Sequence, residues 1–269
     1  MKNILVPIDF SDASLNALSY AIEIAKKTQA AIKILHVCSP PYADPSIDAI
    51  STSQFLQSIL ENANEQADKI ITDYSSDDVT ISKMVVVGSL NSFINNEEAI
   101  DMIVMGTTGA SDAINKYLGS NTLSVINHTK VPMIAVPKNI AFQVKRVLYA
   151  TQLDFEEYQV IDQALLFCSQ LPADMDFVHI QTNEEMNVVS DEIIISKMKE
   201  KYGEDIQIHF HNNNDVVKGL NEYIDEHHYD LLIVAHRDRN FITRFIDPGT
   251  TKSIALYSHA PVLFYHINY

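Results

Sequence analysis

Three glycines, Gly106, Gly109 and Gly119, followed at once by Ser120 and Asn121, form the segment of this chain best suited to chemistry. The 269 residues contain only 7 glycines and none before Gly88, so three within residues 106–119 form a concentration that needs a cause. Glycine permits positive φ and lets backbone approach a ligand with no Cβ in the way. Ser120 and Asn121 stand where a helix should begin. The loop would therefore aim unpaired N–H groups and the positive end of a helix dipole at one spot. That is a phosphate cradle, and it needs no basic side chain.

The elements that must position it alternate between strand and helix. Short apolar runs predict strands over 2–8, 31–37, 79–86, 101–105 and 132–136. Helices are expected near 52–76, 90–99 and 120–129, and after Ser11 or Asp12, where Leu15, Leu18, Ala21, Ile22 and Ala25 keep helical spacing. This pattern implies parallel strands with helices on both faces. Ligands of such sheets bind beyond the carboxyl ends of the strands. With strand 101–105 beside strand 2–8, the crevice over the glycine loop also receives Pro7, Ile8 and Asp9. Asp9 suits a base or a ribose there, and Val37, ending the strand over 31–37, comes close enough for backbone contact with an adenine ring. The stretch 39–50, with three prolines, reads as a mobile surface insertion.

The chain repeats itself. Lys2–Asp9 is echoed by Lys145–Gln152, Asp101–Met105 by Asp230–Val234, and Val131–Ala135 by Ala260–Phe264. Three echoes in the same order argue for tandem duplication. The expected units are 1–138 and 144–269, each of ordinary domain size. Strands of the second half are expected near 145–150, 174–180, 205–211, 230–235 and 261–266.

The spacing Gly106-x2-Gly109-x9-Gly119-Ser120, the opening ILVPIDFSDASLNAL and the closing VPMIAVP resemble the universal stress protein family over nearly the whole chain, as two tandem copies. The resemblance implies an α/β fold: two tandem doubly wound parallel-sheet domains, flavodoxin- or Rossmann-like, each of strand order 3-2-1-4-5. It implies an adenine nucleotide (ATP, ADP or AMP, with or without Mg2+) over strands one and four. By match, Pro7, Ile8, Asp9 and Val37 would surround the adenosine. Met105, Gly106, Gly109, Gly119, Ser120 and Asn121 would hold ribose and phosphates. In the family the closing strands pair antiparallel between domains. An internal pseudo-dimer of the two halves is therefore expected, and a homodimer through edge strands is a further option.

The second copy departs from this pattern. Aligned on Gly249-Thr250, His236 takes the first glycine position and Arg239 the second, while Gln152 replaces Asp9 and Ala150 replaces Pro7. Bulky side chains then stand where phosphate and backbone would meet, so this half is expected to bind nucleotide weakly or not at all. Arg237, Arg239 and Arg244 are read as ion-paired with nearby acids such as Asp238 and Asp247.

Composition bounds the partners. With 35 acidic and 19 basic residues the net charge is -16, and no basic cluster appears, so neither nucleic acid nor membrane is an expected partner. No apolar run approaches membrane-spanning length, and Asp9 interrupts the opening before a signal-peptide core forms, so the expected compartment is the cytoplasm. Cys38 and Cys168 make no CxxC pair and read as small buried residues. His209, His211, His227 and His228 read as solvated surface histidines rather than zinc ligands. No Walker A, GxGxxG or GxSxG motif is present. Near the cradle only Asp9, Ser120, Asp112 and Lys116 could serve phosphoryl transfer, which suits binding better than turnover. The reading is a nucleotide-responsive stress or signalling module. Its alternatives are a slow ATP hydrolase and a nucleotide-free structural or chaperone-like protein.

Overall fold

The computed structural model describes residues 1–38, 49–97, 99–107, 119–182, 188–236 and 260–267. The first half runs β1 (Asn3–Pro7), α1 (Asp12–Thr28), β2 (Ala31–Cys38), α2 (Ala49–Tyr74), β3 (Ile81–Val87), α3 (Leu90–Asn96), β4 (Met102–Gly106), α4 (Ser120–His128) and β5 (Met133–Val136). The second half runs β6 (Arg146–Ala150), α5 (Tyr158–Gln170), β7 (Asp174–Gln181), α6 (Val188–Tyr202), β8 (Ile208–Asn212), α7 (Val216–His227), β9 (Leu231–His236) and β10 (Val262–His266). The proline-rich stretch lies, as far as residue 48, outside the described residues.

Within each half all pairings are parallel, and the order is 3-2-1-4-5: β3-β2-β1-β4-β5, then β8-β7-β6-β9-β10. The halves meet through one antiparallel pair, with Val262 opposite Ala135 and Leu263 opposite Ile134. The result is one ten-stranded sheet. The internal pseudo-dimer thus uses up β5 and β10, and neither closing edge remains for a second copy of the chain; the outer strands are β3 and β8.

Strand alternation sends side chains to two faces, and each face carries a core that crosses the seam. On one, Ile4, Val6 and Ile134 continue into Leu263 and Tyr149 beneath the helices α1 and α5, the latter contributing Ile161. On the other, Leu5, Ile103 and Ala135 continue into Val262, Phe264 and Leu148. Burial of each large aliphatic side chain contributes roughly 2 kcal/mol, so packing on both sides reinforces the short ladder at the join.

Local chemistry sets the ends of α1, the helix beside the crevice. Ser11 rather than Asp12 is the N-cap; its hydroxyl accepts from the Ser14 amide at 3.3 Å. Gln29, in the left-handed region at φ 57°, stops the helix, and its amide returns to the Ala25 carbonyl. The Asp echoes have a shared cause. Asp101 accepts from the amides of Lys2 and Asn3, and Asp230 accepts from those of Lys145 and Arg146, so each carboxylate fixes the start of its half's first strand.

The connection between the halves is anchored on α1. Asn16 Nδ2 donates to the carbonyls of Pro137 and Ile140, each at 3.1 Å, and Phe142 packs edge-on against buried Tyr20 with ring centres 4.9 Å apart. Replacing Asn16 with alanine removes both bonds. The expected loss, read from urea unfolding, is about 1–2 kcal/mol, with secondary structure unchanged by circular dichroism.

Candidate functional site

At the carboxyl ends of β1 and β4 the connections leave on opposite faces of the sheet, and a cleft opens between them. Its volume is about 720 Å3 measured to its open mouth. It is lined by Pro7, Ile8 and Asp9 after β1, Val37 on β2, Met105 and Gly106 on β4, and Gly119, Ser120 and Asn121 at the start of α4. These are nine of the ten residues expected from sequence; the tenth, Gly109, lies outside the described residues, as do Asp112 and Lys116. Five further lining residues escaped the sequence reading: Ser14, Leu35, His36, Leu90 and Thr122.

Two hydrogen bonds set α4 over the end of β4. The Gly119 amide donates to the Thr107 carbonyl at 2.5 Å, and the buried Thr122 hydroxyl donates to the Gly106 carbonyl at 2.9 Å. Gly119 is the N-cap of α4 and supplies no side-chain acceptor. The amides of Ser120, Asn121 and Thr122 therefore have no partner among the described residues, and they belong to the cleft wall. The opposite wall is apolar, built from Ile8, Leu35, Val37, Leu90 and Met105. Among the described lining residues Asp9 is the one carboxylate, and no lysine or arginine is present.

Asp9 is oriented by the helix that follows it. Its Oδ1 accepts from the Ser11 amide at 3.1 Å and from the Ser11 hydroxyl at 2.5 Å, and its own amide donates to Ser14 Oγ at 3.4 Å. Ser14 could have been suspected from its place three residues after the N-cap. Cys38, at the end of β2, is buried, and burial pushes its thiol above the ordinary range.

Gly106 is also required for a packing reason that the sequence reading did not give. Its φ is not positive, and a Cβ there would come within 2.8 Å of the Ala13 carbonyl oxygen. The close approach is between β4 and the first turn of α1.

With this geometry in place, comparison with known proteins is decisive. The model of the Universal stress protein family matches residues 1–137 and again residues 143–266. This chain belongs to the universal stress protein family. Over 143 residues, half of this chain and 82% of the relative, it is 29% identical to a universal stress protein of Methanocaldococcus jannaschii. Universal stress protein G of Escherichia coli O157:H7 is 28% identical over 142 residues, again half of this chain and 98% of its own length. A universal stress protein from Archaeoglobus fulgidus shares the whole fold, with TM-score 0.72 at 18% identity, covering 99% of this chain and 98% of that one.

The second copy of this two-copy universal stress protein keeps the frame of the crevice and changes its chemistry. Strand register places Ala235, not His236, at the position of Gly106: Gly106 pairs with Val136 on the neighbouring strand, and Ala235 pairs with Tyr265. His236 corresponds to Thr107, one position beyond the alignment made on Gly249. Arg237, Arg239, Arg244, Gly249 and Thr250 lie outside the described residues. Glu157 stands where Ser14 stands. Its carboxylate, 1% exposed, accepts from the Thr151 hydroxyl at 2.7 Å and the Gln152 amide at 3.0 Å. Of the four histidines expected to be solvated away from this crevice, only His228 is exposed. His209, His211 and His227 are half-buried, with ring centres 5.9, 5.7 and 4.2 Å from that of Tyr223.

Burial raises the Glu157 carboxyl from 4.5 to about 7, against the opposing pull of its Thr151 and Gln152 donors. Between those values the folded chain holds a proton that the unfolded chain releases, so stability falls as pH rises through the window. The Glu157→Gln variant should flatten this slope, which is worth up to about 3 kcal/mol, in urea unfolding between pH 4.5 and pH 8. An unchanged slope would remove Glu157 as its source.

Proposed function

We propose that the first half of this universal stress protein binds an adenine nucleotide (ATP, ADP or AMP, with or without Mg2+). The second half binds nucleotide weakly or not at all. The observation that carries this reading is the first turn of α4, unpartnered among the described residues, facing the same cleft as Asp9 and an apolar wall. A purine needs apolar surface, a ribose needs a hydrogen-bond acceptor for its hydroxyls, and a phosphate needs convergent N–H donors. The cleft offers all three, and it does so at the switch point where doubly wound sheets take ligands. On this reading Ile8, Leu35, Val37 and Leu90 take the base, Asp9 the ribose, and the first-turn amides of Ser120, Asn121 and Thr122 the phosphates, with Gly119 keeping a Cβ out of their way.

The described lining residues suit binding better than turnover. Asp9 is engaged with Ser11, and no described residue of the cleft brings a cation to a terminal phosphate. The proposed role is therefore that of a nucleotide-responsive stress or signalling module of the cytoplasm. Residues 1–138 form the binding unit and 144–269 the non-binding one. The anchoring of the connection on α1, whose first turn holds Asp9, gives the binding unit a physical link to its partner unit.

Acid extraction of the purified full chain should release an adenine nucleotide. Calorimetric titration of the stripped protein with ATP should give one site per chain, about tenfold weaker in Asp9→Ala, the weight of one or two lost hydrogen bonds to a charged group. Two equivalent sites, or none, would overturn the proposal.

A further inference from the structure

The turn that carries Asp9 is not self-supporting. Phe10 sits in the left-handed region at φ 64°, a conformation costly for a bulky side chain. Ser11 and Ser14 hold the turn from the α1 side, and a second hold comes from β2. The Leu35 carbonyl accepts from the Ile8 amide at 2.8 Å, and the next residue, His36, places Nδ1 2.9 Å from the Ile8 carbonyl. A carbonyl only accepts, so Nδ1 carries the proton and donates. The His36 ring also lies against that of Phe10, with centres 4.4 Å apart. Consecutive residues of β2 thus grip both backbone groups of Ile8 and the ring two residues on.

The second half repeats the device. His179 Nδ1 lies 2.9 Å from the Thr151 carbonyl, the Thr151 amide donates to Val178 at 2.9 Å, and Leu153 takes φ 56°. There the gripped turn presents Gln152 in place of Asp9, and the ring partner at the Phe10 position is absent. The clamp is therefore a property of the fold, and its consequence depends on which residue it presents. A neutral Nδ1–H tautomer and a doubly protonated ring both keep this donor, so the grip does not depend on histidine charge.

We propose that His36 is the positioning residue of the nucleotide cleft: its bond to Ile8 and its contact with Phe10 fix the turn that aims Asp9 at the ligand. This rests on the nucleotide reading above for its effect on affinity, though not for its effect on the turn. His36 acts through Asp9, and the duplicate at His179 supplies an internal control, because the same lesion there disturbs the turn of Gln152 instead.

The test compares His36→Phe, His36→Asn and His179→Phe in the full chain by thermal unfolding, ATP calorimetry and the amide resonance of Ser11, which reports the Asp9 bond. Both phenylalanine variants should lose similar stability. Only His36→Phe should weaken ATP, by about tenfold, and shift the Ser11 amide. His36→Asn, whose side-chain amide can replace the Nδ1 donor, should recover most of the affinity. Should His36→Phe fail to fold, Phe10→Leu takes its place, since Leu153 shows that leucine is accommodated in this turn; it should weaken ATP several-fold. Unaltered affinity and an unmoved Ser11 amide in a folded variant would overturn the proposal. A moved Ser11 amide in a chain whose wild type binds no ATP would instead leave the clamp standing and sink the nucleotide reading.

Discussion

The Gly119 amide and the Thr122 hydroxyl both reach back to carbonyls at the end of β4, and the geometry of the cleft follows from that pair of bonds. A helix N-terminus carries donors that its own backbone cannot satisfy. Pinned over the ends of the central strands, those donors find no acceptor among the described residues and face the cleft. The Thr122 bond uses a side chain to hold the helix, which leaves the first-turn amides uncommitted among the described residues. Across the cleft the sheet contributes apolar side chains, and the turn after β1 contributes a single carboxylate. A site of this kind is made from backbone, helix direction and one acid, which is why a chain of net charge -16 can still hold an anion locally.

The duplicated half shows how little must change to alter such a site. Its strands keep their order, its first strand is still started by an aspartate, and its post-strand turn is still gripped by a histidine. What differs is what the frame presents: Gln152 for Asp9, Glu157 for Ser14 and Ala235 for Gly106. The chain also differs locally beside it: α5 is preceded by a 3-10 turn, Phe155–Glu157, where the first half already has α-helix. A buried acid then takes over the bonding that a serine hydroxyl makes in the first half, and titration enters where there was none. The two copies share one sheet and two continuous cores, so the second half is structural support for the first as well as its divergent twin.

Much of this was legible in sequence because it rests on periodicity. The ten strands were readable from short apolar runs, and the tandem order followed from echoes such as those led by Asp101 and Asp230. Strand ends were less legible. The run placed at 205–211 begins only at Ile208, because the Ile206 amide closes a turn onto the Gly203 carbonyl. The candidate site emerged from the glycine spacing, yet the packing of Gly106 against Ala13 did not: sequence shows that a Cβ is unwelcome, not which neighbour excludes it. The off-by-one placement of His236 arose from aligning on a glycine thirteen positions away, where register along the strand is the firmer guide. His36 and Ser14 were missed because their partners, Ile8 and Asp9, are reached through backbone atoms, which carry no residue-specific signature.

The account depends on the first turn of α4 being the place where phosphate arrives. Amide chemical shifts of the full chain, followed during addition of ATP, test this directly. The largest and saturable changes should fall at Ser120, Asn121 and Thr122, with smaller ones at Asp9 and Val37 and none along β9 of the second half. Changes concentrated in the second half, or first-turn amides of α4 that stay unmoved while ATP binds, would contradict it.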